Sequence, residues 1–291
     1  MSDEFRLMGV VNVTPDSFSD GGQYLEPEAA IARGLALVAQ GAGILDVGGD
    51  STRPGASPVP AEAELRRVLP VIEGLVSAGA GAGAQISIDT SKANVASAAL
   101  KAGATLVNDV TALRGDREMA AVLADSGADC CLMHMLGEPR TMQQDPRYED
   151  VVGEVKAFLE ERLALAVSSG IREERVMLDP GIGFGKTARH NLELVRRLDE
   201  LVAIGRPVVI GTSRKAFLGR ITGREVDARV PGTIATNVLA YERGARVFRV
   251  HDVGPVADAL RVTAATVNPA WAPPRTTTPT TTPTTPSGST R

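Results

Sequence analysis

Residues 85–109 read QISIDTSKANVASAALKAGATLVND and contain the repeating unit of this chain. A short apolar run ends at the polar Asp89, and a second ends at Asn108. The longer segment between them closes at Gly103, where glycine can adopt the left-handed conformation that ends a helix before the next strand. Because strands joined through a helix pair in parallel, this stretch predicts a strand, a helix and a second, parallel strand.

Short apolar runs occur eight times, separated by segments whose apolar residues follow the three- and four-residue spacing of a helix. Runs that are continuously apolar predict strands buried on both faces. Eight such units in about 265 residues predict an α/β fold, a single-domain (β/α)8 TIM barrel. The predicted strands are residues 8–13, 43–47, 85–88, 105–107, 130–133, 175–178, 207–210 and 246–250.

The alternative architecture is a doubly wound open sheet. It offers no reason for eight units, and it usually begins with a glycine-rich phosphate-binding turn that is absent after Val13. Gly185-Lys186-Thr187 matches the end of a phosphate-binding loop, but the pattern GxxxxGK[ST] fails because Pro180 occupies its first position. We therefore predict the barrel, without a nucleotide-binding loop.

The composition is that of an ordinary globular protein. Among 291 residues, Lys and Arg number 31 and Asp and Glu 35, which gives a formal charge of −4. This balance provides no bulk attraction for nucleic acid or for an anionic membrane. The sequence contains no signal peptide and no long uncharged apolar run. Adjacent Cys130 and Cys131 would alternate faces in a strand and could not easily pair, so we expect a cytoplasmic protein.

We expect one folded domain over residues 1–272 and a disordered Thr/Pro-rich tail over residues 273–291. The tail holds no residue that could build a core. The last helix of the domain is predicted over residues 255–267.

Polar side chains end the predicted strands, and in a barrel these strand ends meet at one rim, where active sites are assembled. Helix capping is the alternative explanation for the Asp and Asn residues, but it does not account for Arg, Lys and His in the same ring. The carboxylates and amides suit a flat heterocycle rich in N–H groups, and the basic residues suit an anion. The residues are Asn12, Asp46, Asp89, Asn108, His134, Asp179, Ser213, Arg249 and His251.

Three glycine-rich segments are predicted to lie over this rim. Residues 13–22 and 48–58 follow strands and are dense in turn residues, so we interpret them as mobile loops that close over the site. Phe184 lies in the third, DPGIGFGK at residues 179–186. Since aromatic residues make up only 3% of the chain, its place beside the polar cluster favours stacking on a ligand over core packing, the alternative.

The motifs of this sequence resemble those of the dihydropteroate synthase family, the pterin-binding enzymes of folate synthesis. The most specific are MGVVNVTPDSFSDGG at residues 8–22 and DVGGDSTRPG at residues 46–55, and shorter matches continue to about residue 267. The resemblance implies a TIM-barrel homodimer that joins a dihydropterin-methyl diphosphate to 4-aminobenzoate with Mg²⁺. Its implied partners are therefore two small-molecule substrates. One departure is Asp50, where the family usually has Glu.

The resemblance also implies a role for individual residues. Catalytic roles fall to Asp16, Arg53 and Lys215. The pterin and its diphosphate are assigned to Thr52, Asp89, Asn108, Asp179, Phe184, Lys215, Arg249, Val250 and His251. The 4-aminobenzoate is assigned to Phe18, Thr52, Pro54 and Ser213. Asn12 is assigned to the metal, and its amide oxygen is a donor that a hard cation accepts.

Two other functions remain open on this resemblance. A catalytically silent paralogue would keep the pterin cluster and lose the groups for the anion or for aminobenzoate, yet Arg53, Lys215 and Arg249 are all present. A folate-dependent methyltransferase on a similar barrel would give no reason for the two substrate loops. The synthase is the prediction that uses all of these features.

Overall fold

The computed structural model describes residues 5–14, 27–50, 59–138 and 141–269. The predicted tail, residues 273–291, lies outside these ranges. Within them, eight parallel strands form one sheet, and each predicted strand is present with ends shifted by no more than two residues. The strands are β1 (Arg6–Asn12), β2 (Ile44–Gly48), β3 (Gln85–Asp89), β4 (Leu106–Asp109), β5 (Asp129–Met133), β6 (Val176–Asp179), β7 (Val209–Ile210) and β8 (Val247–Val250).

Helices connect the strands, and the final one confirms the helix predicted before the tail. Two helices each lie between β6 and β7 and between β7 and β8. The helices are α1 (Pro27–Ala39), α2 (Ala61–Ser77), α3 (Ala93–Lys101), α4 (Met119–Ser126), α5 (Val151–Ser168), α6 (Ala188–Arg196), α7 (Leu198–Val202), α8 (Ala216–Thr222), α9 (Val230–Glu242) and α10 (Val253–Val267). Of these helices, none is long and apolar enough to span a membrane.

The sheet closes on itself and confirms the predicted TIM barrel. Its strand order is β6-β5-β4-β3-β2-β1-β8-β7. The remaining gap between β6 and β7 is bridged where the N–H of Leu178 donates to the carbonyl of Pro207 at 3.0 Å. Gly103, between α3 and β4, has a φ of 110°, which a residue with a side chain rarely adopts and which bears out its predicted role.

Side chains alternate between the inside and the outside of the barrel, and this alternation creates two internal layers. The lower layer is an apolar cluster at the amino ends of the strands, formed by Met8, Ile44, Leu106, Cys131, Met177, Val209 and Val247. Two residues further along several of these strands, the inward-facing side chains are polar. This polar layer consists of Asp46, Ser87, Asn108, Asp179 and Arg249.

Residues of the opposite alternation face the helices and build the main core. Leu7, Leu45 and Val107 belong to it and are fully or almost fully buried. Cys130 and Cys131 are both buried and unpaired, as expected from their opposite orientations. The site therefore opens at one end of a barrel that is sealed from below by apolar side chains.

Candidate active site

A pocket opens at the carboxyl ends of the strands, directly above the polar layer. It brings together eight residues singled out from the sequence, namely Asp89, Asn108, Asp179, Phe184, Ser213, Lys215, Arg249 and His251. Its wall is completed by Val110, Met133, Gly181, Ile182 and Gly211. The floor is polar and one wall is apolar, as a ligand with a flat ring and several hydrogen-bonding groups requires.

Arg249 lies at the centre of an ion-pair network in the pocket floor. Its Nε donates to Asp46 Oδ2 at 2.7 Å, and its Nη2 donates to Asp89 Oδ2 at 2.7 Å. Burial raises the pKa of Asp89 to about 7, although Arg249 opposes this shift. The charge of Arg249 is thus shared between two carboxylates, and only its remaining N–H groups can reach a ligand.

Asp46 was expected at the rim, but it lies in the middle of β2 and is fully buried in the polar layer, so it does not line the pocket. Besides Arg249, it accepts hydrogen bonds from Ser87 Oγ at 2.7 Å and from Asn108 Nδ2 at 3.0 Å. The bond from Asn108 orients that amide so that its oxygen is left as an acceptor for a ligand. The sequence carried a signal of this mid-strand position, because Asp46 lies between the apolar Leu45 and Val47.

Asp179 supplies a second buried carboxylate to the pocket. Its Oδ1 accepts the N–H of Gly181 at 2.7 Å, and burial raises the pKa of Asp179 against the opposing effect of Lys215 and Arg249. Gly181 has a φ of 67°, and a Cβ there would lie 1.9 Å from the carbonyl oxygen of His134. The loop after β6 passes so close to the loop after β5 that only glycine fits at this position.

His134 was expected in the rim but lies behind the pocket wall, paired with Lys186. The buried Lys186 Nζ donates to His134 Nδ1 at 2.9 Å and to the carbonyl of Phe184 at 3.0 Å. Burial and the ammonium of Lys186 lower the pKa of His134 to about 2, so the imidazole is neutral and can accept this bond. The pair supports the loop that carries Phe184, a role that the sequence did not reveal.

Phe184 combines the two roles that the sequence left as alternatives. It is buried and packs in a cluster with Val110, Met133 and two further methionines, yet it also lines the pocket. The Nζ of Lys215 lies 4.1 Å from the centre of its ring. Burial, reinforced by Arg249, lowers the pKa of Lys215 to about 8. One side of the pocket thus presents an aromatic ring with an ammonium above it.

His251 and Ser213 join the loops that follow β8 and β7. The N–H of His251 donates to Ser213 Oγ at 3.1 Å, and Ser213 Oγ lies 2.9 Å from His251 Nδ1. Burial and then Arg249 lower the pKa of His251 to about 3. The neutral ring carries one N–H donor and one acceptor nitrogen. His251 belongs to the basic residues expected to suit an anion, and this environment leaves its imidazole uncharged.

The side chains of two further predicted site residues point in different directions from each other. Val250 follows the opposite alternation from Arg249, so its side chain is fully buried in the main core and does not line the pocket. Asn12 ends β1 on the inward-facing side shared with Met8 and is half-buried. The predicted residues Asp16, Phe18, Thr52, Arg53 and Pro54 lie outside the residues that the structure describes.

Asp50 forms an ion pair with Lys92, although its side chain is shorter than that of the Glu usual at this position in the dihydropteroate synthase family. It accepts from Lys92 Nζ at 2.8 Å, and the same Nζ donates to Glu64 Oε2 at 2.5 Å. Glu64 is fully buried in α2. Lys92 thus connects the segment after β2, the start of α3 and α2.

Comparison with known proteins identifies relatives over nearly the whole chain. Residues 8–251 match the family described as pterin binding enzyme. The dihydropteroate synthase of Mycobacterium leprae is 46% identical over 267 residues, which cover 89% of this chain and 93% of that protein.

Two solved structures share the fold. The Xanthomonas albilineans dihydropteroate synthase with 4-aminobenzoic acid has a TM-score of 0.85 and 49% identity, covering 92% of this chain and 95% of that one. The Yersinia pestis enzyme with a sulfonamide drug complex has a TM-score of 0.86 and 38% identity, covering 91% of this chain and 96% of that one. The chain therefore belongs to the pterin-binding enzymes and, among them, to the dihydropteroate synthases.

Proposed function

We propose that this protein condenses (7,8-dihydropterin-6-yl)methyl diphosphate with 4-aminobenzoate, which forms 7,8-dihydropteroate and releases diphosphate. The observation that carries the proposal is the mixed lining of this one pocket. It combines the buried acceptors Asp179 and Asn108 with the cationic Lys215 and Arg249. A ligand with N–H groups at one end and a diphosphate at the other is complementary to this arrangement.

The pterin ring is bound by the acceptors and the aromatic wall. A carboxylate such as Asp179 can accept two parallel N–H bonds from an aminopyrimidinone edge, which fixes the orientation of the ring. The amide oxygen of Asn108, oriented by Asp46, accepts a further N–H bond. Phe184 and Lys215 form one side of the slot. Asp89 has one oxygen engaged with Arg249 and contributes its other oxygen.

The diphosphate is the leaving group, so catalysis requires stabilisation of the negative charge that develops on it. Arg249, Lys215 and His251 all line the pocket and supply two cationic groups and an imidazole for this purpose. Donors held in place before the substrate arrives stabilise that charge without a reorganisation cost. We assign Thr52 and Arg53 to the same group on the basis of the family motif.

The aromatic amine of 4-aminobenzoate is already neutral at pH 7, so no strong general base is needed and positioning contributes most of the rate. Ser213 lines the pocket beside Lys215 and is proposed to contact this substrate. Phe18, Thr52 and Pro54 complete the aminobenzoate subsite in this proposal. Asp16, Arg53 and Lys215 are proposed as the catalytic residues.

Mg²⁺ is the proposed cofactor, and the residues present fit a metal held mainly by the substrate. Within the described ranges, no group of three or more His, Cys, Asp or Glu side chains could enclose a metal ion. Mg²⁺ commonly binds through one or two protein ligands together with phosphate oxygens. Asn12 would supply one such ligand. The ion would neutralise charge on the diphosphate as it departs.

We propose a homodimer in the cytoplasm. The homodimer follows from the resemblance to the family, and an interface would cover some of the exposed apolar side chains, such as Ile221 at 57% and Val262 at 67% exposure. The unpaired Cys130 and Cys131 are compatible with a reducing compartment. Sedimentation at several protein concentrations measures the assembly directly.

The decisive experiment supplies purified protein with the dihydropterin-methyl diphosphate, 4-aminobenzoate and Mg²⁺ and measures diphosphate release. We expect release that depends on both organic substrates and that is lost in Asp179→Ala, which shows that the activity belongs to this pocket. Absence of release while the pterin still binds would instead identify a silent paralogue. Methyl transfer from a folate in place of condensation would identify the methyltransferase.

Sulfonamide inhibition is a further expectation of the same proposal. A sulfonamide resembles 4-aminobenzoate, and the motifs at residues 52–54 and 213–215 carry no insertion. We expect inhibition that is competitive with 4-aminobenzoate in steady-state assays. An active enzyme that is insensitive to sulfonamides would contradict the assigned aminobenzoate subsite.

A further inference from the structure

The turn that carries Ser213 and Lys215 to the pocket contains a strained residue between them. The N–H of Lys215 donates to the carbonyl of Thr212 at 3.2 Å and closes a four-residue turn with Arg214 in its third position. Arg214 has a φ of 56°, in the left-handed region where this turn position favours glycine or asparagine. Such strain persists only where the surrounding structure holds the residue in place.

The main chain of Arg214 is held on both sides by the start of α9. Its N–H donates to Thr233 Oγ1 at 3.1 Å, and its carbonyl accepts from Arg229 Nη1 at 3.1 Å. These two bonds account for the position of the backbone. A glycine at this position could keep both bonds and would relieve the strain, so they do not explain why the side chain is an arginine.

The side chain of Arg214 points away from the pocket and reaches the loop after β8. Its Nε donates to Asp252 Oδ2 at 2.8 Å, and its Nη2 donates to Asp252 Oδ1 at 2.6 Å. This is the paired geometry in which guanidinium and carboxylate bind most strongly. The bond from Arg214 lowers the pKa of Asp252. The third nitrogen, Nη1, donates to Asp227 at 2.9 Å.

The Arg214–Asp252 pair connects the two loops that carry the anion-facing groups. Arg214 lies between Ser213 and Lys215, and Asp252 directly follows His251. On the pocket side, the same loops are also joined where Ser213 Oγ and His251 share hydrogen bonds. The ion pair and these bonds therefore tie the loop of Lys215 to the loop of His251 at two places.

We propose that Arg214 is a positioning residue for the diphosphate group, which acts by clamping the β7–α8 turn to the β8–α10 loop through Asp252. Arg214 is not among the residues that line the pocket. The identity of the ligand rests on the proposed function. The clamp itself can be tested with inorganic diphosphate and Mg²⁺ in a binding experiment that needs no turnover.

The most direct test is Arg214→Gly, which removes the clamp and relieves the backbone strain at the same time. We expect the affinity for inorganic diphosphate, measured by calorimetry, to fall about tenfold to a hundredfold, because displacement of binding groups by about 1 Å has effects of this size. The affinity for a hydroxymethyl-dihydropterin, which carries no phosphate, falls by a smaller factor, because Lys215 borders the pterin slot whereas His251 is assigned to the diphosphate alone. Arg214→Lys keeps the charge without the paired geometry, so we expect it to lose diphosphate affinity by a similar factor to Arg214→Gly.

Two further variants separate the clamp from general damage to the fold. Asp252→Asn weakens the clamp from the other side and produces the same selective loss, and the double variant loses no more than the weaker-binding single variant. Arg261→Ala removes an exposed arginine that pairs with Asp258 at 3.2 Å on the same helix α10. This control leaves both affinities unchanged.

Three results would overturn the clamp. They are wild-type diphosphate affinity in Arg214→Gly, an equal loss of diphosphate and pterin affinity, and a double variant whose loss multiplies those of the two single variants. Failure of the proposed function is recognised separately, because the wild-type protein would then release no diphosphate in the condensation assay. The ratios of affinity between variants would still report on the clamp.

Discussion

The lower layer and the polar layer of the barrel interior are separated by two residues along the same strands, yet they have opposite chemistry. In the lower layer, Ile44 and Leu106 are fully buried among apolar neighbours, and burial of each such side chain contributes about 1.5–3 kcal/mol. Directly above them, Asp46 and Asn108 are as inaccessible but polar. The lower layer stabilises the barrel, whereas the polar layer reduces stability unless every group in it has a partner.

This difference explains how the pocket is prepared before a ligand arrives. Asp46 accepts hydrogen bonds from three side chains, which compensates for its burial and fixes the orientations of Asn108 and Arg249. A group oriented in this way needs little reorganisation when the ligand binds. Four substitutions, described from the largest expected effect to the smallest, test this division of roles.

Asp46→Ala should have the largest effect on stability. It leaves the buried N–H of Arg249 and the donors of Ser87 and Asn108 without their acceptor, and breaking a buried ion pair costs about 3–5 kcal/mol. Denaturant unfolding measures this loss, and Asp46→Asn, which keeps the size and one acceptor, should lose less. If Asp46→Ala lowered the unfolding free energy no more than Ile44→Val in the lower layer does, the hydrogen bonds of the polar layer would not have the importance for stability assigned to them.

Asp179→Asn should affect ligand binding rather than the fold. The amide has one acceptor oxygen in place of two, so one of the two N–H bonds to the pterin ring is lost, at about 1.5–3 kcal/mol or about ten- to a hundredfold in Kd. Titration with a pterin measures the effect, and Asp145→Asn, at an exposed carboxylate, is the matched control. Equal affinities for the two variants would remove Asp179 from the pterin subsite.

Lys215 should make diphosphate affinity depend on pH. Because its pKa is lowered to about 8, the free protein loses the ammonium above this pH, and affinity should fall by about tenfold per pH unit. Lys215→Arg stays charged and should flatten the profile between pH 8 and 10, whereas identical slopes would contradict the assignment. The free energy of unfolding should change with pH in the opposite direction to the affinity. Between about pH 8 and the unfolded value of 10.5 the unfolded chain binds more protons at Lys215 than the folded chain, so the free energy of unfolding rises with pH.

Ile44→Val, in the lower layer, should have the smallest effect of the four, and this effect should be on stability alone. Removing one methylene from this buried site costs about 0.5–1.5 kcal/mol of unfolding free energy through the lost packing. Because no polar group changes, affinities for the pterin and for diphosphate should match those of the wild type. A selective loss of either affinity would mean that the two layers are not independent.

Much of the fold could be predicted from the sequence because its signals are local. The apolar runs located all strands to within two residues, and the glycine at Gly103 located the end of a helix. The polar strand ends indicated the pocket residues. Asp46 was placed at the rim because a strand end and a strand middle cannot be distinguished when a carboxylate interrupts a short apolar run. Alternation along β8 separates Val250 from Arg249, so the sequence itself indicates that only one of the two side chains faces the pocket.

The sequence by itself therefore determined the barrel, the site of its opening and the kinds of group at its rim. The tertiary structure decided which of these groups are charged and where they point, because their partners are far away along the chain. Arg249 and Asp46 are 203 residues apart, and Lys186 is 52 residues from His134. Burial and such partners leave the imidazole of His251 uncharged and make Arg214 a clamp, and neither property can be read from the residues beside them.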